Sequence, residues 1–169
     1  MITLAMSDKP RITTASSTAQ DLQDLAEGNL AFASDLYAVL RKEAGNLFFS
    51  PYSIYTVLAL MYGGAAGETE RQMSAALHVE QEAEDFQAGL ADIQTILNQI
   101  GERGAVQLNI ANSLWPQSGA ELNPEFLQLA KRYLAEVNAV DYRSNAAAIR
   151  EQINTWAEDK TNKRIKEIV

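Results

Sequence analysis

Residues that could perform catalysis are scarce in this sequence. The chain has one histidine, His78, and no cysteine, so thiolate chemistry is excluded. A Ser-His-Asp triad would need His78 as its general base. His78 instead lies between Leu77 and Val79 at a predicted helix end, where a structural role is far more common, and the chain has no Gly-x-Ser-x-Gly motif. The sequence therefore predicts that the protein is not an enzyme.

Patterns that bind ligands are equally scarce. Gly63, Gly64 and Gly67 lack the spacing of a dinucleotide or P-loop site and no lysine follows them, so helix termination explains them better. One acidic cluster lacks the repeating ligand spacing and turn glycine of a calcium loop, and it fits a solvated helix start; it comprises Glu80, Glu82, Glu84 and Asp85. A basic cluster fits a helix C-terminus; it comprises Lys160, Lys163, Arg164 and Lys166. We expect no cofactor and no metal.

Length and charge limit the class of protein further. The 169 residues favour one domain or part of a larger one. A net charge of -8 argues against nucleic acid as a partner, because phosphates would be repelled. The opening MITLAMSDKP contains no apolar run of signal-peptide length, and no stretch reaches transmembrane length, so we expect no membrane partner and the compartment is not indicated.

The pattern of apolar residues predicts an α+β fold, with helices first and strands later. Residues 1–17 end in a stretch of small polar residues, which predicts a flexible lead before a domain over 18–169. Helical spacing covers residues 19–40, closed by Gly45, and then 67–78, 83–100, 123–134 and a last helix from about Ala146. Alternation predicts strands over 106–115 and 135–142, which need partners elsewhere.

The stretch NLFFSPYSIYTVLALMYGGAAGETERQM, residues 46–73, predicts a short strand followed by a buried helix. Ser50 fits a helix N-cap and Pro51 fits the first turn, where its missing N–H costs nothing. The apolar positions cover too much of the helix circumference for a surface helix; they are Ile54, Val57, Leu58, Leu60 and Met61. We expect this helix to lie in the core with no solvent-exposed face.

The same stretch closely resembles the serpin family, from the first strand of sheet B through helices B and C. IANSLWPQSGAELNPEFLQLAKRYLAEVNAVDY resembles the segment that runs from the second strand of sheet A through helix E into the first strand of that sheet. INTWAEDKTNKRIKEIV resembles helix F and its exit. The resemblance covers residues 30–169 in family order. It implies an incomplete serpin fold, namely helices A–F with strands of sheet A and one strand of sheet B.

The resemblance also implies conformational sites. Serpins keep a shutter of small polar groups beneath sheet A, and Asn46, Ser50, Pro51 and Ser53 fall at its positions, although helix capping alone explains Ser50 and Pro51 about as well. Ile153 and Trp156 lie on the apolar stripe of helix F and are expected to anchor it over the sheet.

One position departs from the family pattern. Serpins often carry glycine between the asparagine and the basic residue that end helix F, whereas this chain has Lys163 there. Glycine suits a left-handed cap, and Asn162 tolerates that geometry best among its neighbours, so we expect the cap to shift.

The family inhibits serine proteases, and sometimes cysteine proteases, by a conformational trap. The protease cleaves an exposed bait loop, which inserts into sheet A while still acylated to the enzyme. Such a metastable native sheet stores strain for function. Serpins are often extracellular. The resemblance implies a serine protease as partner. A non-inhibitory helical interaction or scaffold module is the alternative.

The bait loop follows helix F in this family, and its reactive bond is not in this chain. We therefore expect a fragment or a truncated product that inhibits nothing by itself and whose target cannot be inferred. Some serpins bind sulfated polysaccharides through a basic helix D, but the matching AEDFQAGLADIQTILNQIGER has only Arg103 as a cation. We expect no activation of the heparin type.

Overall fold

The computed structural model describes residues 17–103 and 108–169. The predicted lead therefore lies outside the described residues, apart from Ser17. The chain forms six helices and two strands in these ranges: α1 (Ala19–Leu40), α2 (Pro51–Gly64), α3 (Gly67–Ala76), α4 (Ala83–Arg103), β1 (Asn112–Leu114), α5 (Pro124–Arg132), β2 (Ala135–Val137) and α6 (Tyr142–Lys160). None of these helices is long and apolar enough to cross a bilayer.

The main core lies where α1, α4 and α5 surround α2. Tyr55 of α2 is fully buried, and its ring packs against Phe32 at a centroid distance of 5.4 Å and Phe86 at 6.0 Å. Its hydroxyl donates to the carbonyl of Leu77 at 3.0 Å, so the polar end of this core tyrosine is satisfied. These contacts place α2 at the centre of the helical layer, as its apolar composition predicts.

The small sheet is a β-α-β unit. β1 and β2 are parallel, with Asn112 opposite Ala135 and Leu114 opposite Val137, and α5 provides the crossover between them. The pairing continues beyond the strands through a bridge between Gln117 and Val140. Each strand has one partner among the described residues, so the outer edge of each strand is unpaired.

All three predicted strands differ from the structure. Of the predicted 135–142, strand pairing covers residues 135–137 with one further bridge at Val140, and α6 already begins at Tyr142. Strand pairing covers only residues 112–114 of the predicted 106–115, and residues 106–107 lie outside the described part. Residues 46–49 have no strand pairing in the described chain, and Phe48 is wholly exposed. A strand needs a neighbour to complete its hydrogen bonds, and no strand of the described chain pairs with residues 108–111 or 46–49.

The helix ends also differ in detail. Gly45 has a left-handed φ of 122°, but α1 ends five residues earlier, at Leu40 with Arg41 as its cap, so Gly45 is not its C-cap. α3 ends at Ala76, and His78 lies beyond it with a φ of 51°. The chain turns at both positions after the helix has already terminated.

The prediction that α2 has no exposed face is wrong for this chain. Its inner face is buried, but four apolar side chains at helical spacing are between 36% and 46% exposed: Ile54, Val57, Leu58 and Met61. Among the described residues no element covers them fully. We call this set the α2 outer stripe.

Candidate functional site

A cavity of about 750 Å³ separates α6 from the helical layer. Its floor is formed by the first turn of α2 and by parts of α1 and α4, and its roof by the last turns of α6 and the chain that follows. Its third side is the backbone of residues 108–112, which leads into β1. The cavity therefore lies beside the segment that leads into β1, and it reaches β1 at Asn112.

Ser50 and Ser53 line the floor of the cavity. Ser50 is the N-cap of α2, and its Oγ accepts from the Ser53 backbone N–H at 3.3 Å. The Ser53 hydroxyl donates to the same oxygen at 3.0 Å. Pro51 occupies the first helical turn, as predicted. Both hydroxyls are thus held at the cavity by local bonds and remain exposed.

Asn46 is separate from the two serines. It is exposed, and it is not among the residues that line the cavity. The structure thus brings together three of the four residues predicted for the shutter: Ser50 and Ser53 at the cavity wall, and Pro51 between them.

The cavity floor contains polar groups that the sequence analysis did not identify. The Tyr52 hydroxyl donates at 2.9 Å to the side-chain carbonyl of Gln94, which is only 1% exposed. Burial raises the pKa of Tyr52 above its ordinary value. The amide nitrogen of Asn29 also reaches the floor and has no hydrogen-bond partner among the described residues. A polar residue on the apolar stripe of α1 was the one signal available for Asn29.

α6 begins with two caps separated by a kink. Asp141 caps the first turn by accepting from the Arg143 backbone N–H at 3.2 Å. Asn145 then leaves helical geometry, and its side chain accepts from the Ala148 N–H at 3.0 Å. The regular part of α6 therefore starts after Asn145, which agrees with the predicted start near Ala146.

Trp156 joins α6 to the sheet. Its ring meets the ring of Trp115, just after β1, at a centroid distance of 6.4 Å and an interplanar angle of 81°. Its indole N–H donates to Oε2 of Glu136 on β2 at 2.9 Å. Ile153, the other predicted anchor, is half-buried, while Ile149 and Ala157 are the buried residues of α6.

Glu136 also pairs with Lys160, one turn beyond Trp156. Lys160 Nζ lies 2.5 Å from Glu136 Oε1. The Lys160 ammonium, followed by the Trp156 indole, lowers the pKa of the Glu136 carboxyl. Lys160 follows Trp156 by four residues and so shares its face of α6, and a cation on such an apolar stripe is the signal that could have indicated a facing carboxylate.

The chain after α6 turns back and lies along the helix. Asn154 accepts from the backbone N–H of Ile168 at 2.9 Å and Val169 at 3.2 Å, and it donates to the Val169 carbonyl at 3.1 Å. Ile168 in turn lines the cavity. Asn154 therefore positions the end of the described chain beside the open space.

The turn that ends α6 is left-handed at two successive residues. Asn162 has a φ of 50° and Lys163 a φ of 63°. The Lys163 N–H donates to the Glu158 carbonyl at 2.7 Å. The cap therefore includes Asn162, as expected, but it also retains the left-handed geometry at Lys163.

The one histidine of the chain and its carboxylate partner lie away from the cavity. His78 Nε2 lies 2.8 Å from an Asp35 carboxyl oxygen in an exposed pair, and neither residue lines the cavity. Over 17–103 and 108–169, no group of three or more potential metal ligands is present. The arrangement at the cavity offers space, an unpaired strand edge and small hydroxyls.

Comparison with known proteins identifies this architecture. The family model described as serpin (serine protease inhibitor) matches residues 27–169. An uncharacterized serpin-like protein of Thermococcus kodakarensis is 39% identical over 140 residues, covering 82% of this chain and 33% of its own length. The leukocyte elastase inhibitor of Bos taurus is 34% identical over 151 residues, covering 88% of this chain and 39% of its own.

Solved structures agree with the sequence relatives. Arabidopsis AtSerpin1 in its native stressed conformation superposes with a TM-score of 0.76 at 25% identity, covering 90% of this chain and 40% of its own. A cleaved serpin 42Da gives a TM-score of 0.71 at 31% identity, covering 88% and 39%. The chain spans between 33% and 39% of the length of these two curated relatives. The family model over residues 27–169 and relatives more than 30% identical over most of the chain lead to one conclusion: the chain belongs to the serpin family.

Proposed function

We propose that the protein is a serine-type endopeptidase inhibitor that traps its target by a conformational change, and that this chain supplies the N-terminal part of the trap. Membership of a family of serine protease inhibitors supports the class of activity. The partner is a serine protease, with a cysteine protease as the second possibility. The bait bond lies in sequence that follows this region in the family, so the present residues provide the framework and not the contact with the protease.

The observation that carries the proposal is the cavity between α2 and α6. The last turns of α6 lie on one side of it, and Ser50 and Ser53 lie on the other. Asn112 of β1 lines it, and β1 has one unpaired edge within the described chain, whose backbone groups can pair with an added strand. An extended segment can enter such a space by completing a sheet.

The serines suit a shutter at this place. Their side chains are small enough for a strand to pass, and a hydroxyl can donate or accept whichever strand lies above it. Because Ser50 already accepts from Ser53, these hydroxyls keep a partner while the space is open. We propose Ser50, Pro51 and Ser53 as the shutter, with Asn46 at its periphery, and Trp156 with Ile153 as the anchor of α6.

The test begins with the intact mass of the complete gene product, taken from its source by immunoprecipitation and mass spectrometry. A mass more than twice the 18.6 kDa of this chain is expected, since the relatives are longer. That protein is then mixed with a panel of serine proteases, and complexes are sought that survive SDS. The control is each protease with its active-site serine already blocked, because an acyl complex cannot form there.

Each outcome bears on the proposal. An SDS-resistant band with active protease but not with blocked protease supports trapping. A mass near 18.6 kDa, or a complete product that is cleaved by every protease without forming a complex, overturns it.

A non-inhibitory interaction module is the alternative, and the α2 outer stripe is the observation that favours it. Apolar side chains exposed at helical spacing can bind a partner helix. This function predicts a stable non-covalent partner and no SDS-resistant complex with any protease.

A further inference from the structure

α6 is held apart from the main core. The aromatic core is built from α1, α2, α4, α5 and β2, and it contains no residue of α6. Of the α6 side chains, only Ile149 and Ala157 are buried. Within residues 17–103 and 108–169, few buried apolar contacts therefore hold α6 in place, and its polar contacts there carry a correspondingly large share of its attachment.

The carboxylate of Glu136 makes two of these polar contacts. Oε2 accepts from the Trp156 indole at 2.9 Å, and Oε1 lies 2.5 Å from Lys160 Nζ. Trp156 and Lys160 are four residues apart and so lie on the same face of α6. Both also line the cavity. One carboxylate on β2 thus fixes two successive turns of the helix that forms the cavity roof.

We propose that Glu136 is a charge-dependent latch that keeps α6 closed over the cavity, and that loss of its charge or of its two partners lets α6 lift. The latch closes the same cavity that the proposed trapping function uses. Only its effect on inhibition, namely how readily the cavity opens, rests on that proposed function. The attachment of α6 itself can be measured without any protease.

The contacts of Glu136 with α6 depend on the negative charge of its carboxylate. From α6 it faces the Lys160 ammonium and the Trp156 indole, from the chain after β2 the amide of Asn138, and across the sheet Ser113, which is its register partner. Lys160 is the charged group in this set. Neutralising Glu136 therefore removes the ion pair and weakens the indole hydrogen bond together.

The sign of the pH dependence follows from the folded state. Because Lys160 and Trp156 lower the pKa of Glu136, the latch is closed at neutral pH. It weakens as the pH falls through this lowered pKa. The side chains of Lys160 and Glu136 are 42% and 43% exposed, so added salt should also weaken the pair.

Hydrogen exchange read by mass spectrometry tests the latch in the complete gene product. Glu136→Gln keeps the shape of the side chain and removes its charge. At neutral pH we expect amides in the second half of α6 to exchange about fivefold faster, with no change in the core helix α2. Glu151→Gln is the matched control, because Glu151 is an exposed residue of α6 outside the latch and the same charge is removed. It should leave exchange unchanged.

Two further variants keep the proposal falsifiable if Glu136→Gln does not fold. Lys160→Gln removes the ion pair alone, and Trp156→Phe removes the indole N–H while keeping an aromatic ring against Trp115. Each should accelerate amide exchange in α6 by less than Glu136→Gln does. When either is combined with Glu136→Gln, the exchange rate should be the same as for Glu136→Gln alone. The latch is overturned if all three variants exchange like the wild type, or if Glu151→Gln loosens α6 equally. Failure to trap any protease, with exchange in α6 still dependent on Glu136, would refute the proposed function alone.

Discussion

Gly63→Ala should destabilise the protein, although alanine is the better helix former. Gly63 lies at the end of α2, where α2 meets α4 and α5. A Cβ built there would overlap Cδ2 of Leu129 and lie 3.2 Å from Nε2 of Gln87. Leu129 is 1% exposed and Gln87 is fully buried, so neither side chain has free space to enter. The close approach of the helices therefore requires glycine at this position.

The expected change in the free energy of unfolding combines one gain and two costs. Replacing a helical glycine by alanine contributes about 1 kcal/mol of helix propensity in a helix interior, and less at the last turn. Forcing a methyl group into a filled core costs about 1–3 kcal/mol. Displacing Gln87 adds to this cost, because its amide donates to the Ala59 carbonyl at 3.1 Å and its carbonyl accepts from buried Tyr133. A lost bond of this kind costs about 1–3 kcal/mol. With both costs set against the gain in helix propensity, we expect a net loss of about 1–5 kcal/mol.

The assay is urea unfolding of the complete gene product, followed by far-ultraviolet circular dichroism. Gly89→Ala is the matched control, since Gly89 lies inside α4 and an added Cβ would lie 3.5 Å from Leu25, an ordinary contact. That variant should gain about 0.5–1 kcal/mol. The same substitution therefore acts in opposite directions in two helices. An unfolding midpoint for Gly63→Ala at or above that of the wild type would refute the close packing of α2 on α5.

Three further predictions concern α6 and polysaccharide binding. Lys163→Gly should stabilise the protein by about 1 kcal/mol, because Lys163 holds a φ of 63° that glycine adopts without strain. Its urea midpoint should rise, whereas that of the control Lys166→Gly should not. Trp156→Ala should lower stability by about 2–3 kcal/mol, less than for a fully buried tryptophan since this one is half-buried, and an unchanged midpoint would contradict its role as an anchor. Heparin should not accelerate protease inhibition, because Arg103 is the only cation of the α4 sequence, and a large salt-sensitive acceleration would contradict this expectation.

The helices could be predicted from the sequence because their signals are local. Ser50 caps α2 within three residues, and Asn123 caps α5 by accepting from the Glu125 N–H at 2.6 Å. Helical periodicity and caps of this kind lie within one short window of sequence. The helical spacing over 19–40 matches α1, although Arg41 and not Gly45 is its C-cap. α2 begins at Pro51 as predicted, and the bounds of the other helices agree to within a few residues.

The strands and the contacts of the site depend on partners far along the chain. Alternation marks residues 106–115, but pairing with β2 extends over only three of them. Trp156 stood out as a large apolar residue on α6, yet its acceptor Glu136 lies on another element, 20 residues earlier. The spacing of residues within one helix or strand cannot predict the contact between Trp156 and Glu136. The family resemblance supplied the order of the elements, whereas the carboxylate that joins two of them required the structure.

The α2 outer stripe shows what composition alone leaves undetermined. A helix so apolar predicts burial on every side, but burial depends on a neighbour being present. Ile54, Val57, Leu58 and Met61 lie on one face and stay partly exposed in this chain. An exposed apolar face of this kind, together with the unpaired edges of β1 and β2, is a site for association.

We therefore expect the 169-residue chain, expressed alone, to self-associate or to behave as a molten state. Val57→Glu, in the middle of the stripe, should reduce association in size-exclusion chromatography and reduce binding of an apolar dye. Gln128→Glu adds the same charge at an exposed position of α5 and should have little effect, which separates loss of the apolar surface from gain of charge. A wild-type chain that elutes as a monomer and unfolds in one cooperative urea transition would contradict the expectation. It would mean that the helical layer built around α2 folds without cover for its outer stripe.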